Sequence, residues 1–258
     1  MERNIQYRVA SGRATITIDQ PDKMNPLSVE TMRQLADATR DAVEDDEVRV
    51  IVYTGAGDQA FSAGGDLSGS FADDALGLHE ERGALKDLFR LMWSGGKPTV
   101  ARVNGHALAG GFGLAVACDV TICVDDAKLG TTEARVGLWP MMISAILART
   151  LPRKAALELM LTGRMISPGE ALRIGAVSRV VRRDHLDAAI DDVVTALVAT
   201  SPATSLIGRD SFYSMVDGDL DAALDRLQLG LTEVLMTEDA AEGVEAFLER
   251  RQPRWTGR

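Results

Sequence analysis

Phe61-Ser62-Ala63-Gly64-Gly65-Asp66-Leu67 follows the apolar run Val50-Ile51-Val52-Tyr53-Thr54, and Asn104-Gly105-His106-Ala107-Leu108-Ala109-Gly110-Gly111-Phe112-Gly113 follows Thr99-Val100-Ala101-Arg102-Val103. Both read as glycine-rich exits from strands, about one supersecondary unit apart. Glycine lets the backbone come close to a ligand, so that its N–H groups can point at a developing negative oxygen. Two such loops, one donor from each, can make an oxyanion hole. A lone glutamate, Glu133, follows the second loop. Neither loop alone carries the reading; the pair followed by Glu133 does.

Upstream of the first loop, residues 6–10 and 14–18 read as a hairpin turned at Ser11-Gly12, with Ala14, Ile16 and Ile18 on one face. Ser28 can cap a helix in which Val29, Met32, Leu35, Ala36, Thr39 and Val43 keep helical spacing. A strand over 48–54 leads to the first glycine loop. Leu85, Leu88, Phe89 and Met92 mark a helix before the strand at 99–103, and a short helix is predicted from about Gly110 to Cys118. A strand at 120–124 and a short piece at 128–130 follow. The second half reads as mostly helical: Ser167-Pro168-Gly169-Glu170 is a capping box with proline at the first helical position. The last strong strand is 177–181, and beyond His185 the spacing is helical to Arg251, with a helix start at Ser201-Pro202. Residues 1–195 are therefore read as a mixed α/β core. Residues 196–258 are read as an all-helical region that lacks a core of its own and packs on the core or on a neighbouring subunit.

With 258 residues, 46% of them hydrophobic and 26% charged, the chain suits a full core and an ordinary soluble surface. The net charge of −10, with no continuous Lys/Arg stripe, argues against nucleic acid. An anionic small molecule remains possible through local cations and backbone N–H groups. No stretch approaches the roughly 20 apolar residues of a membrane span, and no signal-peptide pattern opens the chain, so a cytoplasmic location is expected. Cys118 and Cys123 read as buried small hydrophobes, and with only three scattered histidines no metal site is expected.

Three common α/β motifs fail. Gly55-Ala56-Gly57-Asp58-Gln59-Ala60 fits the dinucleotide fingerprint but runs into Phe61–Gly65, which cannot open a steady helix. Gly95-Gly96-Lys97-Pro98 has proline where a P-loop needs Ser or Thr, and no G-x-S-x-G elbow occurs.

The chain resembles the enoyl-CoA hydratase/isomerase, or crotonase, superfamily over nearly its whole length. The resemblance rests on Pro21-Asp22-Lys23-Met24-Asn25, the two glycine loops, Ala117-Cys118-Asp119, and Thr132-Glu133-Ala134-Arg135-Val136-Gly137-Leu138. Leu161-Thr162-Gly163-Arg164 and Phe247-Leu248-Glu249-Arg250-Arg251 complete it. It implies an α/β spiral of ββα units with a C-terminal helical trimerisation region, a homotrimer or dimer of trimers, and a coenzyme A thioester as substrate. No cofactor is implied, coenzyme A entering only as part of the substrate. By position, the resemblance puts the thioester oxygen between the N–H groups of Gly65 and Gly110. Losing one such donor typically costs ~2.7–4 kcal/mol of barrier. Lys23 and Met24 resemble the family's coenzyme A contacts, with Ala63, Asp66 and Leu67 on the same path. Phe247 and Arg250 are candidates to reach coenzyme A from their own or a neighbouring subunit. For each of these the alternative is local structure: turn glycines, a carboxylate satisfying backbone N–H groups at Asp66 and Asp119, or ordinary terminal-helix positions.

The acids depart from the family pattern. Hydratases carry two glutamates, and the first of those positions is Gly113 here. Glu133 remains, with Trp139 nearby; a dry setting would raise its pKa into the range for taking and returning a proton, whereas the alternative is a solvated turn glutamate. One glutamate favours double-bond isomerisation, which needs a single base, over hydration, which ordinarily uses two carboxylates. A one-glutamate hydratase, another enolate chemistry such as decarboxylation, and a non-catalytic acyl-CoA-binding subunit stay open. The family's glycine-rich turn is replaced after Pro140 by Met141-Met142-Ile143, read either as core packing or as a reshaped acyl pocket.

Overall fold

A computed structural model describes residues 3–66 and 79–258 of the chain, the side chains of 81 and 82 excepted. The expected hairpin is β1 (Ile5–Ala10) and β2 (Arg13–Ile18), turning through Ser11 and Gly12, both at positive φ. Ala14, Ile16 and Ile18 are buried on one face of β2, as period-two alternation requires. After the two-residue β3 (Pro26–Leu27), Ser28 caps α1 (Val29–Glu44) by accepting the Thr31 N–H. The buried face of α1 includes Thr39, whose hydroxyl bonds the Leu35 carbonyl and the buried Tyr53 hydroxyl of the next strand.

From there the chain winds as a spiral. The first turn holds β4 (Val50–Gly55), β5 (Ala60–Ser62), β6 (Gly64–Gly65) and α2 (His79–Ser94). The next holds β7 (Thr99–Val103), β8 (His106–Leu108) and α3 (Gly110–Ala117), and β9 (Val120–Val124) and β10 (Leu129–Gly130) begin another. Each turn adds one strand to a six-stranded sheet, ordered β1-β2-β4-β7-β9-β11, and one to a three-stranded sheet, ordered β10-β8-β5. β11 (Arg179–Val181) closes the far edge of the large sheet, and β3 pairs with β6 as a separate ribbon. Every pairing between named strands except the hairpin is parallel. Parallel strands are covered on both faces, and all six residues of β4 are accordingly buried. The rejected dinucleotide motif runs from β4 into β5 with no helix between. Cys118 and Cys123 are free and buried, and burial pushes the Cys123 thiol up to about 12.

The second half is helical as expected: α4 (Met141–Thr150), α5 (Arg153–Thr162), α6 (Pro168–Arg173), α7 (Leu186–Val198), α8 (Pro202–Met215), α9 (Leu220–Leu235) and α10 (Glu238–Glu249). Ser167 caps α6 through the Glu170 N–H, while the Glu170 carboxylate pairs with Arg164. α7 runs through residue 195, and α8 begins after its Ser201 cap. Among the described residues, no single helix is long and apolar enough to cross a membrane.

Asp119 ties the helical tail to the core. Its carboxylate accepts from the Thr99 N–H and hydroxyl, from Arg209 Nε on α8 at 2.9 Å, and from the Tyr213 hydroxyl. Arg209 also donates to the carbonyls of Met92 and Trp93 at the end of α2, and its side chain is 9% exposed. Removing one partner of a pair this enclosed leaves the other charge uncompensated, which costs roughly 3–5 kcal/mol. Asp119→Ala is expected to lower the unfolding free energy by that order in chemical denaturation. In a double-mutant cycle with Arg209→Ala, the two losses are expected to be strongly non-additive.

Candidate active site

The two glycine loops touch. Gly64 has φ +90°, and a Cβ built there would stand 2.6 Å from the Ala109 Cβ, 2.7 Å from the Leu108 carbonyl oxygen and 3.1 Å from the Gly110 nitrogen. No residue with a side chain fits that approach. Gly110 opens α3, and its Cβ position lies 4.0 Å from the Gly65 nitrogen; around Gly65 the corresponding space is open. The first N–H groups of a helix have no acceptor within it, and they carry the positive end of its dipole. Ala109, just before them, has φ 49° and ψ −127°, a conformation that glycine favours. Holding a residue with a side chain there costs on the order of 1–3 kcal/mol, which the surrounding contacts must offset.

Two buried asparagines fix the loops. Asn25 donates to the carbonyls of Ala56 and Ala60 and accepts the Gln20 N–H. Asn104 accepts the Gly55 N–H and the Thr54 hydroxyl and donates to the Gly57 carbonyl. Successive turns of the spiral are thereby bonded through side-chain amides where the strand ladders end. The Met24 carbonyl accepts the Ala63 N–H at 2.9 Å, which ties the turn before β3 to the first glycine loop. These asparagines stand in the quoted motifs, but the sequence reading gives them no role. Their signal is a bulky polar amide at a strand end among small and apolar neighbours.

Beside the paired loops lies a cavity of about 630 Å³, whose walls include Leu27, Ala63, Gly65, Gly110, Trp139 and Met141. Among the described lining residues Glu133 is the sole carboxylate and Arg135 the sole cation. Glu133 opens a single-turn helix, Glu133–Val136, that is stopped by Gly137 at φ 75°. Its Oε2 is buried with no hydrogen-bond partner among the described residues. Burial raises the carboxyl above its ordinary value, and a hydrogen bond from its own backbone N–H opposes that rise without cancelling it. Arg135 is tethered through Nε to the Gly163 carbonyl at the end of α5, 2.6 Å away.

The space beside Gly113 is filled. A Cβ on that buried glycine would stand 2.1 Å from Ile143 Cγ2 and 2.5 Å from Ile143 Cβ, so the first turn of α4 occupies the volume a side chain at 113 would need.

The sequence profile of the "Enoyl-CoA hydratase/isomerase" family matches residues 8–258. A Thermus thermophilus protein named "Putative enoyl-CoA hydratase" is 35% identical over 245 residues, covering 94% of this chain and 96% of that protein. Carnitinyl-CoA dehydratase of Salmonella heidelberg is 33% identical over 251 residues, 94% of each chain. The crystal structure of human enoyl-CoA hydratase domain-containing protein 3 superposes with a TM-score of 0.93 at 29% identity, covering 98% of this chain and 100% of that one. The chain belongs to the enoyl-CoA hydratase/isomerase family. Its spiral with a helical C-terminal region is the crotonase fold that the sequence motifs imply.

Within this family fold, Ala63, Gly65, Gly110, Glu133, Trp139 and Met141 are brought together around one cavity. Trp139 and Met141 are 37% and 71% exposed, at the side open to solvent. Lys23 is exposed and Met24 half-buried in the turn before β3; both stand outside the cavity lining, as does half-buried Asp66. Leu67 lies outside the described residues. Phe247, 82% exposed, and Arg250, the C-cap of α10, are also outside the lining formed by this single chain.

A raised folded-state pKa has a definite sign. Above the unfolded value, near 4.3 for an ordinary glutamate, the unfolded chain loses its proton more readily, so the group costs stability as pH rises through the folded value. Glu133→Gln is therefore expected to raise the unfolding midpoint at pH 8 relative to wild type and to have less effect at pH 4. Carboxyl 13C NMR should show Glu133 titrating above the solvent-exposed glutamates.

Proposed function

We propose that this family member moves a double bond in an enoyl-CoA thioester, with Glu133 as its single acid/base and the N–H groups of Gly65 and Gly110 as the oxyanion hole. The Glu133 carboxylate takes a proton from C2 of a 3-enoyl thioester. The electron pair of that C–H bond passes into the thioester, and the charge of the resulting dienolate falls on the oxygen between the two N–H donors. Protonated Glu133 then returns its proton at C4, leaving the double bond between C2 and C3. No other reactant is consumed, and the reading calls for no cofactor. A burial-raised pKa suits this role, because the protonated acid must persist between the two steps.

The observation that carries the choice of reaction is Ile143 beside Gly113. A second carboxylate that would help hold and activate a water is replaced by a hydrocarbon. The hydratase and dehydratase names of the relatives favour a second reading, addition or loss of water with one glutamate. Lys23, Met24, Asp66 and Leu67 are proposed to meet the coenzyme A portion, with Phe247 and Arg250 contributing from their own or a neighbouring copy. Leu231, Leu235, Met236, Phe247 and Leu248 are exposed on and beside α9 and α10, and this apolar surface supports assembly into a trimer or a pair of trimers.

The deciding experiment incubates the protein with 3-enoyl-CoA and 2-enoyl-CoA in heavy water, with Glu133→Gln in parallel, and follows products by mass and ultraviolet absorbance. A conjugated product with no added water is expected, with its rate reduced by roughly 10²–10⁴ in Glu133→Gln. Addition of water to the 2-enoyl substrate would establish the hydratase reading. With neither reaction nor deuterium exchange, the assignment gives way to another acyl-CoA chemistry or a binding role.

A second test addresses position 113. Gly113→Glu alone is expected to destabilise the fold, because its side chain meets Ile143. Gly113→Glu combined with Ile143→Gly makes the space and is expected to raise the ratio of hydration to isomerisation.

A further inference from the structure

Two hollows in the protein meet at one side chain. The catalytic cavity has Leu85 of α2 and Met142 and Ile143 of α4 in its wall. A turn further along both helices lies a second groove of about 460 Å³, walled by Phe89, Trp93, Ala145 and Ile146, and again by Met142. Met142 is the one described residue common to the two linings. Leu85 and Phe89 are i, i+4 on α2, and Met142, Ala145 and Ile146 are i, i+3, i+4 on α4, so the groove continues the cavity along the same helix faces. Trp93 is packed against Tyr213, with ring centroids 4.2 Å apart, which fixes one wall. Charged groups, including the Arg149–Asp217 ion pair, also border the groove and are exposed. Met142 is half-buried and unbranched, with a flexible thioether side chain that can swing aside without moving the backbone.

We propose that Met142 is a gate between the catalytic cavity and this groove, and that the groove receives the distal end of an acyl chain too long for the cavity alone. The inference rests on the acyl-CoA reading of the site. A hydrocarbon chain is the occupant that fits: the groove is entered from an apolar cavity, and its walls between α2 and α4 are aromatic and aliphatic.

The test measures binding, so it does not depend on which reaction the enzyme performs. Saturated acyl-CoA thioesters from butyryl to palmitoyl are titrated calorimetrically into the wild type, Met142→Ala and Ala145→Trp. Ala145 is exposed and lines the groove without lining the cavity, so its replacement by tryptophan fills the groove without disturbing the core. Each methylene newly seated against apolar walls is worth about fourfold in affinity. Met142→Ala is expected to raise the affinity ratio of palmitoyl to butyryl thioester by fourfold or more, and Ala145→Trp to lower it by at least as much. Superimposable chain-length profiles in all three proteins, with binding intact, would overturn the gate and leave the acyl-CoA reading standing. Loss of binding for every thioester in the wild type would overturn both.

Discussion

The approach of Gly64 to Ala109 and Gly110 is the constraint on which the site depends. A Cβ at 64 would stand only 3.1 Å from the first amide nitrogen of α3 and closer still to Ala109 and the Leu108 carbonyl, so the β5–β6 loop can pack there only with a backbone that carries no side chain. The approach cannot be adjusted from one side alone. β6 is paired with β3, the Ala63 amide is bonded to the Met24 carbonyl, and Asn25 and Asn104 bond the adjacent turns of chain. On the other side α3 is pressed against β5 closely enough that a Cβ at Gly111 would lie 2.5 Å from the Ser62 carbonyl oxygen. Two amides held by separate turns of one spiral are thus placed by the packing of the whole core. The strain at Ala109 fits this picture: the residue is kept in a glycine-favoured conformation by contacts on both sides.

That rigidity matters because the site contains little else that is polar. A donor pair aimed in advance at a developing negative charge works without reorganising when the charge forms, and its effect is strongest where water is excluded. Glu133 feels its partial burial with the opposite sign. Burial disfavours its charged form, and one of its oxygens has no partner among the described groups.

Much of this was legible in the sequence. The hairpin, the strands at 99–103 and 120–124, the Ser28, Ser167 and Ser201 caps and the short helix at Gly110 all follow from alternation, helical spacing and capping chemistry. Each of those signals is local. The two-residue strands β3 and β6 are too short to show a period, and they exist because other turns of the spiral supply partners. Asn25 and Asn104 were visible as residues but not as ties, since the carbonyls they bond lie on neighbouring turns more than thirty positions away. Gly113 could be recognised as a missing acid only through the family resemblance. That Ile143 stands in its place could not be read from the sequence at all, because the run Met141-Met142-Ile143 fits core packing and pocket lining equally well.

The pairing of Gly113 with Ile143 also bears on how Glu133 is tuned. Two carboxylates facing one substrate would raise one another's affinity for a proton, and their titration would belong to the pair rather than to either residue. With a hydrocarbon at the second position, the Glu133 proton affinity is set mainly by burial, with its own amide as a smaller opposing influence. On the proposed reading, a single carboxyl of that kind carries one proton between two carbons of the same ligand. The glycine at 113 and the Ile143 side chain that fills the space beside it therefore act in the same direction: neither offers Glu133 a second titrating group to share a proton with.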